Sequence, residues 1–384
     1  MDFEFSEEHK AIREKAKRFA DEEIAPYARE NDALERFPSD ILKKMGAQGL
    51  TGGPVPPEYG GGGLDFISDA IIFEETGRAC SSVRTIISVQ VSLVELSILK
   101  WGTEGQKRRY LPGLCRAEML GAFALTEPEA GSDAGSIKTA ATKKGDGYLL
   151  NGSKAWISTG GVADILIVFA KTAPEAGTRG ITAFIVAKDS PGFSARGIKG
   201  KLGLRSANTA GLFFEDCFVP EEQVLGSPGD GLKIALSALD NGRYGVAAGC
   251  VGIIQACIDA SIKYSKKRVQ FGKPIASFQL VQDMIARMHV DLEAARLLVY
   301  RAGHLKNMGV RNTLETSVAK YFASEAAVRA AMDALQVHGG YGYSNEYPVE
   351  RYLRDARVAT IYEGTSQIQK LIIGENLLGI KAFA

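Results

Sequence analysis

Residues 145–186 read GDGYLLNGSKAWISTGGVADILIVFAKTAPEAGTRGITAFIV, and their texture decides the fold. Gly145-Asp146-Gly147 has the composition of a hairpin turn. Tyr148 to Leu150, Ile165 to Phe169 and Ile181 to Val186 are short, rich in β-branched or aromatic residues, and bounded by Gly, Asp or Pro. Leu212 to Phe218 repeats the pattern. Several short strands at close intervals predict a small antiparallel barrel or sandwich between Gly121 and about Gly229.

The periodicity on either side is helical. Ser6 is suited to an N-cap, with Glu7 and Glu8 near the positive end of the helix dipole. Ile12, Ala16, Phe19 and Ala20 follow at helical spacing, and Pro26 predicts a bend or stop. Thr51 to Leu64 (TGGPVPPEYGGGGL) is a loop, because proline and glycine dominate it. On the C-terminal side Phe278, Val281, Ile285, Met288, Leu292, Ala295, Val299 and Ala302 recur at three and four, which predicts a bundle helix with one apolar seam. Leu314, Val318, Tyr321, Val328 and Leu335 continue that theme less strictly. The expected architecture is α+β and mainly α: helices over 1–120, strands over 121–228, and a helical bundle over 229–384.

Composition narrows the function. Over 384 residues, 46 Lys and Arg against 45 Asp and Glu leave a formal charge of +1, which offers no field for nucleic acid. The uncharged run Gly245 to Ile258 falls short of the roughly 18 residues of a membrane span. The acidic start Met1-Asp2-Phe3-Glu4 has no apolar signal region. Five scattered cysteines, without a C-x-x-C pair, predict reduced thiols in a cytoplasmic setting, and four histidines lack metal-ligand spacing. No Rossmann fingerprint, P-loop or G-x-S-x-G elbow occurs, and Gly339-Gly340-Tyr341-Gly342 lies at a helix end.

Polar residues instead gather at turns between regular elements. The segments LTEPEAGSD (125–133), NGSKAWIS (151–158), KKRVQFGKPI (266–275), LQVHGGYGY (335–343) and RDARVATIYEGTSQIQ (354–369) stand in that order. Singly, a Thr or Ser at such a place is a helix cap and a Gly-Gly a C-cap. Together they resemble the acyl-CoA dehydrogenase family of flavoproteins, over essentially the whole chain.

The resemblance implies an N-terminal helical domain, a middle β-barrel and a C-terminal four-helix bundle, with FAD between barrel and bundle. It implies a homo-oligomer, expected to be a tetramer, whose second subunit completes the cofactor site. Phe123, Leu125 and Thr126, with Trp156, Ile157 and Ser158, match positions against the isoalloxazine ring. There the Thr126 and Ser158 hydroxyls would bond the flavin edge and the indole would cover a face. Arg268, Gln270, Phe271, Phe278 and Gln279 match positions that hold the pyrophosphate and adenosine from the neighbouring subunit, a task suited to a bidentate guanidinium. Gln336, Val337, Gly339, Gly340, Thr365 and Gln367 match further FAD contacts, and Ser132 a contact at the cofactor and substrate.

The implied reaction is α,β-dehydrogenation of a short acyl-CoA to the trans-2-enoyl-CoA, as in β-oxidation of fatty acids, with electrons passed to an electron-transfer flavoprotein. Glu363 matches the base, and its neighbours Tyr362 and Gly364 match substrate contacts. Removing a thioester α-proton requires an enolate stabilised by hydrogen bonds and a carboxylate made basic by exclusion of water. Some branches place the base within a segment matching Leu239 to Arg243; the matching residue here is Gly242, which can abstract nothing. Asp240 and Arg243 match residues beside CoA; read alone, they are an exposed i, i+3 ion pair. A flavin oxidase or a catalytically silent binding protein of the same fold are the competing readings.

Arg84 and Ser88 lie one helical turn apart in an apolar stretch, where a lone Arg is costly without an anionic partner. Glutaryl-CoA dehydrogenases carry this pair for the distal carboxylate, so a dicarboxyl acyl-CoA, with or without decarboxylation, is the alternative substrate. They also carry an acidic residue where this chain has Gly77. The opposing reading has Arg84 reaching solvent or a surface carboxylate such as Glu74 or Glu75.

Overall fold

In the computed structural model, which describes residues 4–382, the first helix begins where Ser6 accepts the N–H of His9. The expectation at Met1 to Phe3 lies outside these residues. Helix α1 (Glu7–Phe19) runs through a π turn at Ala20–Ile24 into α2 (Ala25–Ala33). Pro26 therefore does not stop the chain. The wider turn delivers it into the first turn of α2, where a missing N–H costs nothing. Helices α3 (Ser39–Ala47), α4 (Phe66–Ala79), α5 (Ser81–Ser88), α6 (Leu96–Trp101) and α7 (Glu104–Cys115) complete the region. Between α3 and α4 the Thr51 to Leu64 loop holds only a 3₁₀ turn at Pro57–Tyr59.

The strand region comprises β1 (Gly121–Ala124), β2 (Ala140–Lys144), β3 (Gly147–Ser158), β4 (Ile165–Lys171), β5 (Ile181–Ala187), β6 (Phe193–Gly197), β7 (Thr209–Pro220) and β8 (Val224–Leu225). Their order is β6-β7-β3-β2-β4-β5-β8, with β1 beside β4. The expected antiparallel pairing holds except at β4, which runs parallel to β1 along its length and to β2 at one residue pair. The β2–β3 hairpin supplies the long connection that a parallel pair requires. Neither β1 nor β6 is legible in the sequence, the first being very short and the second largely exposed.

Where β3 meets β7 the register slips between Lys154 and Ile157. Such a bulge re-aims a side chain. Here Trp156 takes φ 61° and its indole stands 63% exposed.

The C-terminal region holds α8 (Gly231–Lys267), the short hairpin β9 (Val269–Gln270) and β10 (Lys273–Pro274), then α9 (Gln279–Asn307), α10 (Thr313–His338), α11 (Val349–Ala359) and α12 (Ser366–Leu378). The α9 seam is buried from Met288 to Ala302, while Phe278, Val281 and Ile285 are only partly covered. On α10 the expected large residues are likewise only half-buried. Its core face is an alanine stripe from Ala319 to Ala334, which lets α8 approach closely. Glycine on α8 does the same toward α4 and α5. A Cβ on Gly252 would lie 2.1 Å from the Glu74 carbonyl oxygen, and one on Gly249 would lie 2.3 Å from Arg84 Nε.

Two stretches, Ser81–Trp101 and Gly231–Lys267, are long and apolar enough to cross a membrane. Their apolar windows are 94% and 78% buried inside the protein, which marks them as core helices.

Candidate active site

A cavity of about 140 Å³ forms where α5, β1, the end of β3, α8 and the loop before α12 converge. Arg84 and Ser88 line it from α5, Phe123, Leu125 and Thr126 from β1 and its exit, and Trp156 to Ser158 from the bulged strand. Tyr362 and Glu363 close it from the last loop. Residues from three of the five quoted segments and the Arg84 stretch thus meet in one place.

Glu363 has φ 57° and is followed by Gly364 at φ 90°, two left-handed residues in succession. Its Oε2 is buried without a hydrogen-bond partner. Burial pushes the carboxyl up to about 7, against the pull of Arg243, Lys320 and Arg84. A Cβ at Gly242 would lie 2.3 Å from that Oε2. The absence of a side chain at 242 is therefore what makes room for the carboxylate at 363.

Arg84 is 1% exposed, which excludes both solvent and a surface carboxylate as its partner. Its Nη2 donates to the Tyr362 hydroxyl at 2.5 Å, while Nε and Nη1 are buried without acceptors. Ser88 Oγ is equally unpartnered. Glu74 is itself buried and taken by Arg13, Arg296 and Tyr300, and Glu75 by Arg78. At Gly77 a Cβ would meet the Gly249 carbonyl oxygen at 2.7 Å, so an acidic side chain there requires α4 and α8 to part.

Asp240 and Arg243 are not an exposed pair. Arg243 is 5% exposed, donates to Asp240 at 2.8 Å and, through Nε, to the Glu363 carbonyl at 3.2 Å. Thr313 adds a hydroxyl to the other Asp240 oxygen at 2.9 Å.

Two residues inside the quoted motifs received no role in the sequence. Lys154 and Glu127 form a buried ion pair at 2.8 Å, and Lys154 also donates to the Leu125 carbonyl at 3.1 Å. Burial brings the ammonium down to about 8, against the attraction of Glu127. The pair ties the Leu125–Thr126 segment to the strand that carries Trp156. Lys320 and Gln369 were missed as well; both are fully buried and both donate to the Gly364 carbonyl. A lone Lys in the alanine-rich stretch around 320 was the available signal.

A second, separate cavity of about 670 Å³ gathers Arg268, Gln270, Gln336, Val337, Gly339 and Gly340. The Arg268 guanidinium lies 5.7 Å over the Tyr341 ring. Phe271 is 93% exposed at φ 52° and meets Phe278 edge-on at 6.0 Å. Gln279 and Gln367 are exposed outside both cavities, as is Ser132 in the loop after β1. Thr365 acts as a cap, accepting the Ile368 N–H at 3.2 Å. An exposed indole beside free hydroxyls, and a guanidinium beside glycines with open space around them, suit the planar ring and the diphosphate of FAD.

The acyl-CoA dehydrogenase N-terminal, middle and C-terminal domains match residues 6–118, 122–217 and 229–378. An acyl-CoA dehydrogenase of Bacillus subtilis is 50% identical over 374 residues, covering 97% of this chain and 99% of that protein. Butyryl-CoA dehydrogenase from Megasphaera elsdenii superposes with a TM-score of 0.96 at 42% identity, covering 98% and 100%. Glutaryl-CoA dehydrogenase in its glutaryl-CoA complex gives 0.96 at 42%, covering 99% and 98%. With three domain matches in order and a likeness that spans the whole chain, this protein belongs to the acyl-CoA dehydrogenase family.

Proposed function

We propose that the protein is an FAD-dependent dehydrogenase that converts a short acyl-CoA to the trans-2-enoyl-CoA. The observation that carries this reading is the buried, unpartnered Glu363 oxygen among three cations, at the wall of a small cavity that Trp156, Thr126 and Ser158 also line. Bound FAD supplies the acceptor for the β-hydride. Glu363 removes the α-proton, its basicity raised because burial disfavours the carboxylate. Arg243 and Gln369 fix the base through its backbone carbonyl. Phe123, Leu125 and Ile157 keep water from the reacting carbons, while Trp156, Thr126 and Ser158 orient the ring.

A second reading has a specific observation behind it. Arg84 is a buried cation with two unpartnered nitrogens, Nε and Nη1, and, among the described residues, no carboxylate within ion-pair distance. Ser88 Oγ is free beside it in the same cavity. The pair is suited to a distal carboxylate, so glutaryl-CoA is the alternative substrate.

We further assign Arg268, Gln270 and Gln336 to Gly340 to the adenylate half of a cofactor shared between subunits of a homotetramer. Electron-transfer flavoprotein is the acceptor, β-oxidation the pathway, the cytoplasm the location, and 1–120, 121–228 and 229–384 the domains. Five free, buried cysteines suit a reducing compartment.

Anaerobic titration of the FAD-loaded protein tests the reading. Butyryl-CoA or glutaryl-CoA should bleach the flavin, with slow reoxidation by oxygen. Rapid reoxidation would indicate an oxidase, and an unbleached flavin with every thioester a silent binding protein. Arg84→Ala should slow glutaryl-CoA by about 30-fold or more, on the order of 2–5 kcal/mol, and spare butyryl-CoA. Equal kinetics on both thioesters in wild type and variant would leave a plain short-chain dehydrogenase.

A further inference from the structure

Lys320 sits on α10 with no accessible surface, and its hydrogen bond goes to the Gly364 carbonyl at 2.7 Å. Among the described residues it forms no ion pair with a carboxylate. An ammonium group buried in this way is strongly destabilising unless its surroundings offset the lost water.

What it faces is the loop of the base. Glu363 and Gly364 are both left-handed, a backbone that persists only when its surroundings over-determine it. Their two consecutive carbonyls receive side-chain donors from three helices. Arg243 of α8 and Gln369 of α12 reach the Glu363 oxygen at 3.2 and 3.1 Å. Lys320 of α10 and again Gln369 reach the Gly364 oxygen at 2.7 and 3.1 Å.

The charges around the pair are few. Glu363 faces Arg243 from α8, Lys320 from α10 and Arg84 from α5. Lys320 faces Glu363, Arg243, the Cys250 thiol of α8 and, on its own helix, Glu325. Glu325 accepts the Ser366 hydroxyl at 2.5 Å.

We propose that Lys320 is a positioning residue for the base: it fastens the left-handed turn through Gly364 and its charge sets the acidity at which Glu363 becomes a carboxylate. This rests on the reading of Glu363 as the base. Of the three side chains that donate to the turn, only Lys320 and Arg243 carry charge, and the Arg243 charge is paired with Asp240 at 2.8 Å. Of these two, Lys320 is the one without a carboxylate partner among the described residues. Burial brings the Lys320 ammonium down to about 8, against the attraction of Cys250 and Glu363.

Lys320→Met removes donor and charge, Lys320→Gln keeps a donor without charge, and Lys320→Arg keeps the charge. Each is loaded with FAD and mixed with butyryl-CoA, and the flavin bleaching rate is followed across pH. The protonated-carboxyl infrared band that is absent from Glu363→Gln is titrated alongside. In the Met and Gln variants the acid limb and the band should move up by about one pH unit, a tenfold loss of rate below neutrality, with recovery at alkaline pH. The Arg variant should keep the wild-type limb.

Unshifted limbs in the neutral variants, or a uniform loss at every pH, would overturn the proposal and reduce Lys320 to a packing strut. If Lys320→Met does not fold, the Gln and Arg pair carries the same comparison. Glu363→Gln bleaching at the wild-type rate would instead remove the base assignment, a result distinct from any Lys320 outcome.

Discussion

Glu363 joins a left-handed backbone, a carboxylate oxygen without a partner and a ring of cations in one residue. Replacing it by Gln preserves shape but not proton affinity. Flavin reduction should fall by about 10²–10⁴-fold with thioester binding little changed, and rapid-mixing spectroscopy measures both. In wild type the base must be ionised, so kcat/KM should rise with pH through about 7 and level above it. An acid limb near the ordinary glutamate range would show that the carboxyl is not desolvated in solution. Much of this was legible in the sequence, since Tyr-Glu-Gly-Thr is distinctive and a lone Arg84 in apolar surroundings calls for an anion. Lys320 obeys the same rule but its partner is a carbonyl on a distant loop, and no residue type marks a carbonyl. For Asp240 and Arg243 the spacing alone suggests an exposed pair, because i, i+3 spacing describes a helix surface and says nothing of the loop packed upon it.

At the scale of elements, side-chain periodicity revealed the long strands and the α9 seam, while two other devices stayed hidden. The bulge that turns Trp156 outward depends on how β3 pairs with β7. The packing of α8 depends on glycines whose value lies in the atoms across from them. Gly249 is the one that bears on specificity, because the Arg84 side chain lies across it. Gly249→Ala should displace Arg84 and destabilise the protein by about 1–3 kcal/mol, read by denaturant unfolding. In the same variant the bleaching rate with glutaryl-CoA should fall more than that with butyryl-CoA. An unchanged ratio would mean that Arg84 finds an equivalent place without that groove.

For the whole molecule, several buried carboxyls act together. Burial raises Asp69 to about 8 and Asp355 to about 6, and Glu363 lies between them at about 7. Each holds a proton in the folded state that the unfolded chain has already released, so stability is greatest near the unfolded values and falls as pH rises toward 8. The slope is up to about 1.4 kcal/mol per pH unit for each group titrating. Thermal unfolding of the apoprotein between pH 5 and 8 should show this decline, and Asp69→Asn should flatten it; a rising midpoint would refute the assignment. The length of α8 has a different consequence. Val246 lines the first cavity and Arg268 the second, and at 1.5 Å per residue the helix sets them about 33 Å apart. In the proposed subunit-shared arrangement, one subunit carries the ring-binding half of one flavin pocket and the phosphate-binding half of another. Colour and quaternary structure would then be a single equilibrium: dilution that parts the subunits should also release the cofactor, and cofactor in excess should hold the subunits together.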